Sequence, residues 1–254
     1  MICARCHHFA AAPGGTLCAQ CAAAPPAPAP PFDGAPGAWL RSPVGLGRAA
    51  AAVLGLVIAA DLFAIWADFL QLDVTADLAD GVYGAPVARR AEHAHDLGNL
   101  AARAQLTALL ISTVVFLCWF YRVRVNAEVF NPFGHSKKRG WAIGGWFTPV
   151  ANLWFPRRIT LDIWDASTPW GARGSHGLVN AWWTLWLLSL FADRAAYVES
   201  RRAHTASELH DAFRQMLFSD AVDIAAALAA IAVVLRLTRM QHQKALAGPV
   251  PAAV

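Results

Sequence analysis

Apolar positions along this chain are gathered into blocks of about 12 to 19 residues free of Lys, Arg, Asp and Glu, which is how bilayer-spanning helices read. The first runs from about Leu46 to Leu70 and holds Asp61 and Asp68 in its second half. Leu106 to Tyr121 is the cleanest, ending in Trp119, Phe120 and Tyr121 and then Arg122 and Arg124, a pattern expected at a cytoplasmic interface. Trp141 to Phe155 is broken by Gly144, Gly145 and Pro149. Leu178 to Ala192 and Ala221 to Leu237 complete the set. The polar stretch from Gln71 to Arg103 reads as a loop, partly helical at its end. The pattern predicts an all-α fold: a polytopic transmembrane bundle of four to five spans, one of them broken or re-entrant at Pro149.

If the Trp141 block does not cross, both termini lie on one side, with about two thirds of the 21 Lys and Arg. If it crosses, just over half do. The positive-inside bias therefore slightly favours four spans plus one irregular helix.

Composition sharpens this picture. The chain is 57% hydrophobic and 15% charged, whereas soluble domains carry roughly a quarter charged residues. The net charge of +4 sits mostly beside apolar blocks. That suits anionic lipid and gives no basic face for nucleic acid, which is not expected as a partner. Ala49 to Ala52 permit close helix approach, so homo-oligomers are compatible with the sequence.

Four of the five cysteines lie in the first 21 residues as Cys3-x-x-Cys6 and Cys18-x-x-Cys21. Two such turns supply four thiolates to one tetrahedral Zn2+, and a closed four-sulfur site is structural, not catalytic. So short a unit would draw its folding energy from the metal. Residues 1–22 are thus expected to form a zinc-ribbon-like unit, 23–43 an Ala/Pro-rich linker, 44–240 the helical domain and 241–254 a disordered tail. No apolar leader precedes Cys3, so the N-terminus is expected in the cytoplasm of a bacterial cell, with the ribbon recruiting a protein partner. Cys118, inside an apolar block, reads as a small packed side chain.

Ionisable residues at membrane depth are costly and suggest function. Asp61 and Asp68 share a helix face, as do Asp220 and Asp223. Against a site stands the nearness of the interfaces, where water, Arg48, Arg194 or Arg214 would satisfy them; that reading is preferred for Asp220 and Asp223. His204, Glu208 and Asp211 would share a helical face as the only lipid-enzyme cluster, and Glu92, His93, His95 and Asp96 form a weaker set. A solvated loop face explains both equally well, and no catalytic motif occurs.

From Arg122 onward the chain carries W-F-x-P-x-x-N-L-W-x-P at Trp146, Phe147, Pro149, Asn152, Leu153, Trp154 and Pro156. I-W-x-A-S-x-P follows at Ile163, Trp164, Ala166, Ser167 and Pro169. In these motifs it resembles the DUF4328 family of bacterial, chiefly actinobacterial, membrane proteins. The resemblance implies membrane location, a helical architecture and an N-terminal Pro-rich or ribbon-like extension, but no reaction. Within the motif, Pro149 frees a carbonyl for Asn152 or a neighbour. Trp141, Trp146, Trp154 and Trp164 would suit the headgroup layer, and Arg157 and Arg158 lipid phosphates. Three readings follow: a non-enzymatic anchor and adaptor; a small transporter or channel with a polar path at Asp61, Asn152 and the Pro149 break; and a lipid-modifying enzyme.

Overall fold

Four long helices and a broken short pair make up the larger of two units, Met1–Ala38 and Trp39–Val254, in the computed structural model. The residues described are 2, 10, 15, 16, 40–169, 172 and 174–248. The four cysteines expected to hold zinc, most of the linker and the last six residues lie outside them.

Helix α1, Val44–Ala79, is apolar on most of its circumference as far as Leu70, interrupted only by Arg48, Asp61 and Asp68, as lipid surroundings allow. Beyond Leu70 it does not give way to the expected loop. Leu70, Val74 and Leu78 continue one face and pack on Val87, Ala91 and Ala94 of α2, Ala85–Phe130. Arg90 holds Asp73 at 2.9 Å and also pairs with Asp77. Only residues 80–84 turn, and Gly81 and Gly84 adopt φ of 78° and 129°, where a side chain would be strained.

The long helices lie side by side in the order α2, α1, α6 (Ala206–Ala247) and α5 (Gly177–Arg202). Small residues set the spacing: Ala64 and Ala67 meet Ala101, and Gly47 abuts Thr238. Three of these helices, α1, α2 and α6, are long and apolar enough to cross a membrane. Helix α5 has 26 residues, about 39 Å at the usual rise.

The Trp141 block does not cross as a helix. Helix α3, Trp141–Phe147, has 7 residues, about 10 Å of length. The chain turns at Pro149 and Val150, the latter at φ 69°, makes a 3-10 turn over Ala151–Leu153 and returns as α4, Phe155–Ser167. The rings of Trp141 and Phe155 then stand 4.9 Å apart. The Thr148 carbonyl next to the break accepts from the backbone N–H of Asn152 at 3.0 Å, not from its side chain.

Buried polar links lock this end of the bundle. Asn126 joins the Arg41 backbone and Gln241, whose own amide reaches the Val123 carbonyl and Ser167 Oγ at 2.8 and 3.1 Å. Lys244 Nζ donates to the carbonyls of Ala166 and Thr168, both at 2.8 Å, at the C-terminus of α4. Residues 241–247 are therefore the last turns of α6, not a tail, because Gln241 and Lys244 are buried in the fold. Trp119 and Phe120 are buried too, and only Tyr121 of that trio is exposed. Cys118 faces outward, beside exposed Leu110 and Val114.

Candidate functional site

The inner faces of the four long helices carry stripes at alternating spacings of three and four: Leu54, Val57 and Asp61; Gln105, Leu109, Ser112 and Phe116; Trp182, Trp186, Ser189 and Asp193; Asp220, Asp223, Ala227 and Ala230. That spacing keeps each set on one helix face. Together they line a cleft of about 600 Å³, closed at one end by Trp146, Phe147 and Asn152 from the broken segment.

The cleft is polar at one end and aromatic at the other. At the polar end the side-chain nitrogen of Gln105 donates to Asp61 Oδ1 at 3.1 Å and to Asp220 Oδ1 at 2.9 Å. Ser219 Oγ donates to Asp193 at 2.5 Å. Asp223 completes the group. Among the described residues no Lys, Arg or His pairs with Asp61, Asp68, Asp193, Asp220 or Asp223. Arg48, Arg194 and Arg214 thus do not neutralise the buried acids, contrary to the preferred reading of Asp220 and Asp223. Asp61 and Asp220 are 3% and 8% exposed.

At the aromatic end Trp146 is the hub. Its ring lies 5.5 Å from Phe116 and 5.6 Å from Trp186, edge-on to both, and 6.4 Å from Trp182. The 3-10 turn beneath is pinned by Trp183 Nε1 donating to the Leu153 carbonyl at 3.2 Å. Three buried polar atoms of cleft-lining residues lack a hydrogen-bond partner: Asp61 Oδ2 at the polar end, and Trp146 Nε1 and Asn152 Oδ1 at the aromatic end. An unmet buried donor or acceptor costs about 1–3 kcal/mol. Unmet polar atoms in residues at both ends suit the cleft to a guest that carries polar groups.

The residues singled out from sequence divide accordingly. Asp61, Asn152 and Trp146 all line the cleft, Asp61 at its polar end and the other two at its aromatic end. Asp68 is buried but does not line it. Trp164 and Ser167 are core residues, Pro156 opens α4, and Pro169 lies beside Lys244, so the second half of the motif is scaffold. Of the four tryptophans expected at the headgroup layer, only Trp141 and Trp154 are exposed. Arg157 bonds Asn180 at 2.8 Å and Arg158 pairs with Asp162 at 3.4 Å, so both have protein partners.

His204, Glu208 and Asp211 do not share a helix face. His204 precedes the N-cap Thr205, whose side chain forms a capping box with Glu208. His93 and the neighbouring acids are exposed on α2. Among the described residues no group of acids, histidines or cysteines is arranged to hold a metal.

Among the described residues, fold and cleft define an all-α architecture with three helices long and apolar enough to cross a membrane and an acidic, tryptophan-walled hollow lined by α1, α2, α5, α6 and the broken segment. Residues 84–239, more than half of the chain, match the family described as domain of unknown function DUF4328. The chain belongs to the DUF4328 family. No curated protein matches it, and no solved structure does.

Proposed function

We propose that this chain is a multi-pass protein of the bacterial plasma membrane that takes a small molecule into the cleft, in the manner of a small transporter or channel-like protein. The observation that carries this reading is one hollow whose lining includes three residues with buried, unpartnered polar atoms, Asp61 Oδ2 at its acidic end and Trp146 Nε1 and Asn152 Oδ1 at its aromatic end. Ligand sites of roughly 300–1,000 Å³ with a few convergent polar groups in an otherwise apolar lining have this form. Polar groups at membrane depth beside a broken helix commonly mark substrate paths.

In this reading α1, α2, α5 and α6 all cross and α3–α4 lies at the cytoplasmic face. That face gathers Arg41, Arg122, Lys137, Lys138, Arg139 and Arg239, in keeping with positive-inside bias and contact with anionic lipid. The test is side-specific labelling of Ser112→Cys and Ser189→Cys, each in a full-length background with the five native cysteines replaced by serine. Both should react with a membrane-impermeant methanethiosulfonate. Protection of both would remove the polar path.

A second reading rests on the cysteine spacing alone: Cys3, Cys6, Cys18 and Cys21 hold a structural Zn2+, and the ribbon anchors a cytoplasmic partner to the membrane.

A further inference from the structure

We infer that the ligand of the cleft is a lipophilic organic cation, one positive centre on an apolar or aromatic body. This inference rests on the reading of the cleft as a ligand site and adds its chemical class. Four carboxyl groups, of Asp61, Asp193, Asp220 and Asp223, line one end, and among the described residues no cationic side chain answers them. One nitrogen of Gln105 serves two of these groups and leaves Asp61 Oδ2 without a partner, although Asp61 is only 3% exposed. Acids gathered without a counter-charge in a low-dielectric setting favour a guest that brings one.

Size and lining exclude a bare metal ion as the natural guest. A cleft of about 600 Å³ is far larger than a coordination shell, and no described group of ligands is arranged to close round an ion. The aromatic wall adds the second half of the specificity. Trp146, Trp182, Trp186 and Phe116 present electron-rich rings within the same hollow, and such faces attract organic cations while accepting their apolar bodies.

The rim points the same way. Helices α2 and α5 stand on opposite sides of the cleft without extensive packing on each other. Between them the lining includes Leu106, Leu109, Leu190 and Phe147, which are 58%, 55%, 40% and 66% exposed. A gap edged by large apolar side chains opens toward lipid, so the guest enters from the bilayer and must be soluble there. A lipid-soluble guest suits that opening, and a lipophilic anion fails the acids within.

Three isosteres separate charge from shape: tetraphenylphosphonium, neutral tetraphenylsilane and tetraphenylborate. Each is titrated into the full-length protein in nanodiscs, with tryptophan fluorescence as the readout and empty nanodiscs subtracted. Saturable binding of the phosphonium alone, weakened at least tenfold by Asp61→Asn, supports the inference. Comparable binding of all three, unchanged by Asp61→Asn, overturns the cationic class and leaves an apolar ligand site. Preferred binding of the borate overturns it outright. No saturable binding of any of them to helical, monodisperse protein overturns both the cationic class and the ligand-site reading.

Discussion

The side-chain nitrogen of Gln105 stands 2.9 Å from Asp220 Oδ1, a link between α2 and α6 far from their other bridges at Trp119–Thr238 and Asn126–Gln241. The same nitrogen serves Asp61 on α1. Gln105→Leu keeps the bulk and removes the donor, leaving two buried carboxyl oxygens unmet at about 1–3 kcal/mol each. The variant should melt several degrees lower in detergent, with unchanged helix content by circular dichroism. An unaltered melting curve would show that these carboxyl groups do not depend on the clamp.

Gly47 faces Thr238 at the crossing of α1 and α6, and a Cβ at position 47 would strike the Thr238 side chain. That side chain has little freedom to yield, because its Oγ1 accepts from Trp119 Nε1 at 2.9 Å. Gly47→Ala should destabilise the bundle by about 1–3 kcal/mol, as overpacking does. Gly45→Ala, where nothing lies within 4 Å, should not. Parallel thermal melts of the two variants decide it; equal melting points would mean that the helices separate at no cost.

How far these features could be read from sequence depends on what each pattern encodes. The spans around Leu54, Leu109 and Val233 were legible because lipid demands long apolar runs. The motif residues Trp146 and Asn152 stand out through proline and family pattern, yet their sharing one cleft with Asp61 is a long-range arrangement that no local spacing specifies. The stripe Trp182, Trp186, Ser189 and Asp193 was written at helical spacing but hidden within a block apolar on every side. The Gln71–Arg103 segment looked like a loop because its acids are frequent, although Leu70, Val74 and Leu78 recur every four residues and have Val87 and Ala91 to meet. Thr205 and Glu208 carried a capping signature that moves His204 out of the helix.

The end of α6 should prove indispensable. Truncation after Met240 removes Gln241, which ties α6 to Val123 and Ser167, and Lys244, which holds the Ala166 and Thr168 carbonyls. Hydrogen bonds from a charged group contribute about 1.5–3 kcal/mol, so this variant should accumulate poorly in membranes. Truncation after Gly248 should leave yield and melting unchanged. Equal yields of the two would return residues 241–247 to a dispensable tail.

Zinc content tests the ribbon independently of the bundle. Elemental mass spectrometry of the full-length protein should find about one zinc per chain, as a four-sulfur site requires. Changing Cys3, Cys6, Cys18 and Cys21 together to Ser should abolish it and leave the melting of the helical domain intact. Absence of zinc from the unaltered protein would remove the ribbon and the adaptor reading with it.

His135 gives the connection between α2 and α3 a dependence on pH. Both ring nitrogens are buried without partners. Burial first, and then the Arg124 guanidinium, hold the imidazolium below its ordinary pKa of 6.5, with the nearby Ala127 backbone, Glu128 and Asp162 opposing. The unfolded chain therefore takes up a proton at a pH where the folded chain does not, and stability falls as pH drops through that interval. The contribution is fully present above about pH 6.5 and diminishes toward the lower folded value. The segment is otherwise pinned by Arg124 donating to the Lys137 carbonyl and by Ser136 on Asp162. A protonated ring would repel Arg124 and loosen the first of these links. Hydrogen exchange over residues 131–140, corrected for the intrinsic pH effect, should speed up between about pH 7.5 and about 5. His135→Gln should flatten that change. A profile in which the variant still loosens on acidification would show that His135 is not the group responsible.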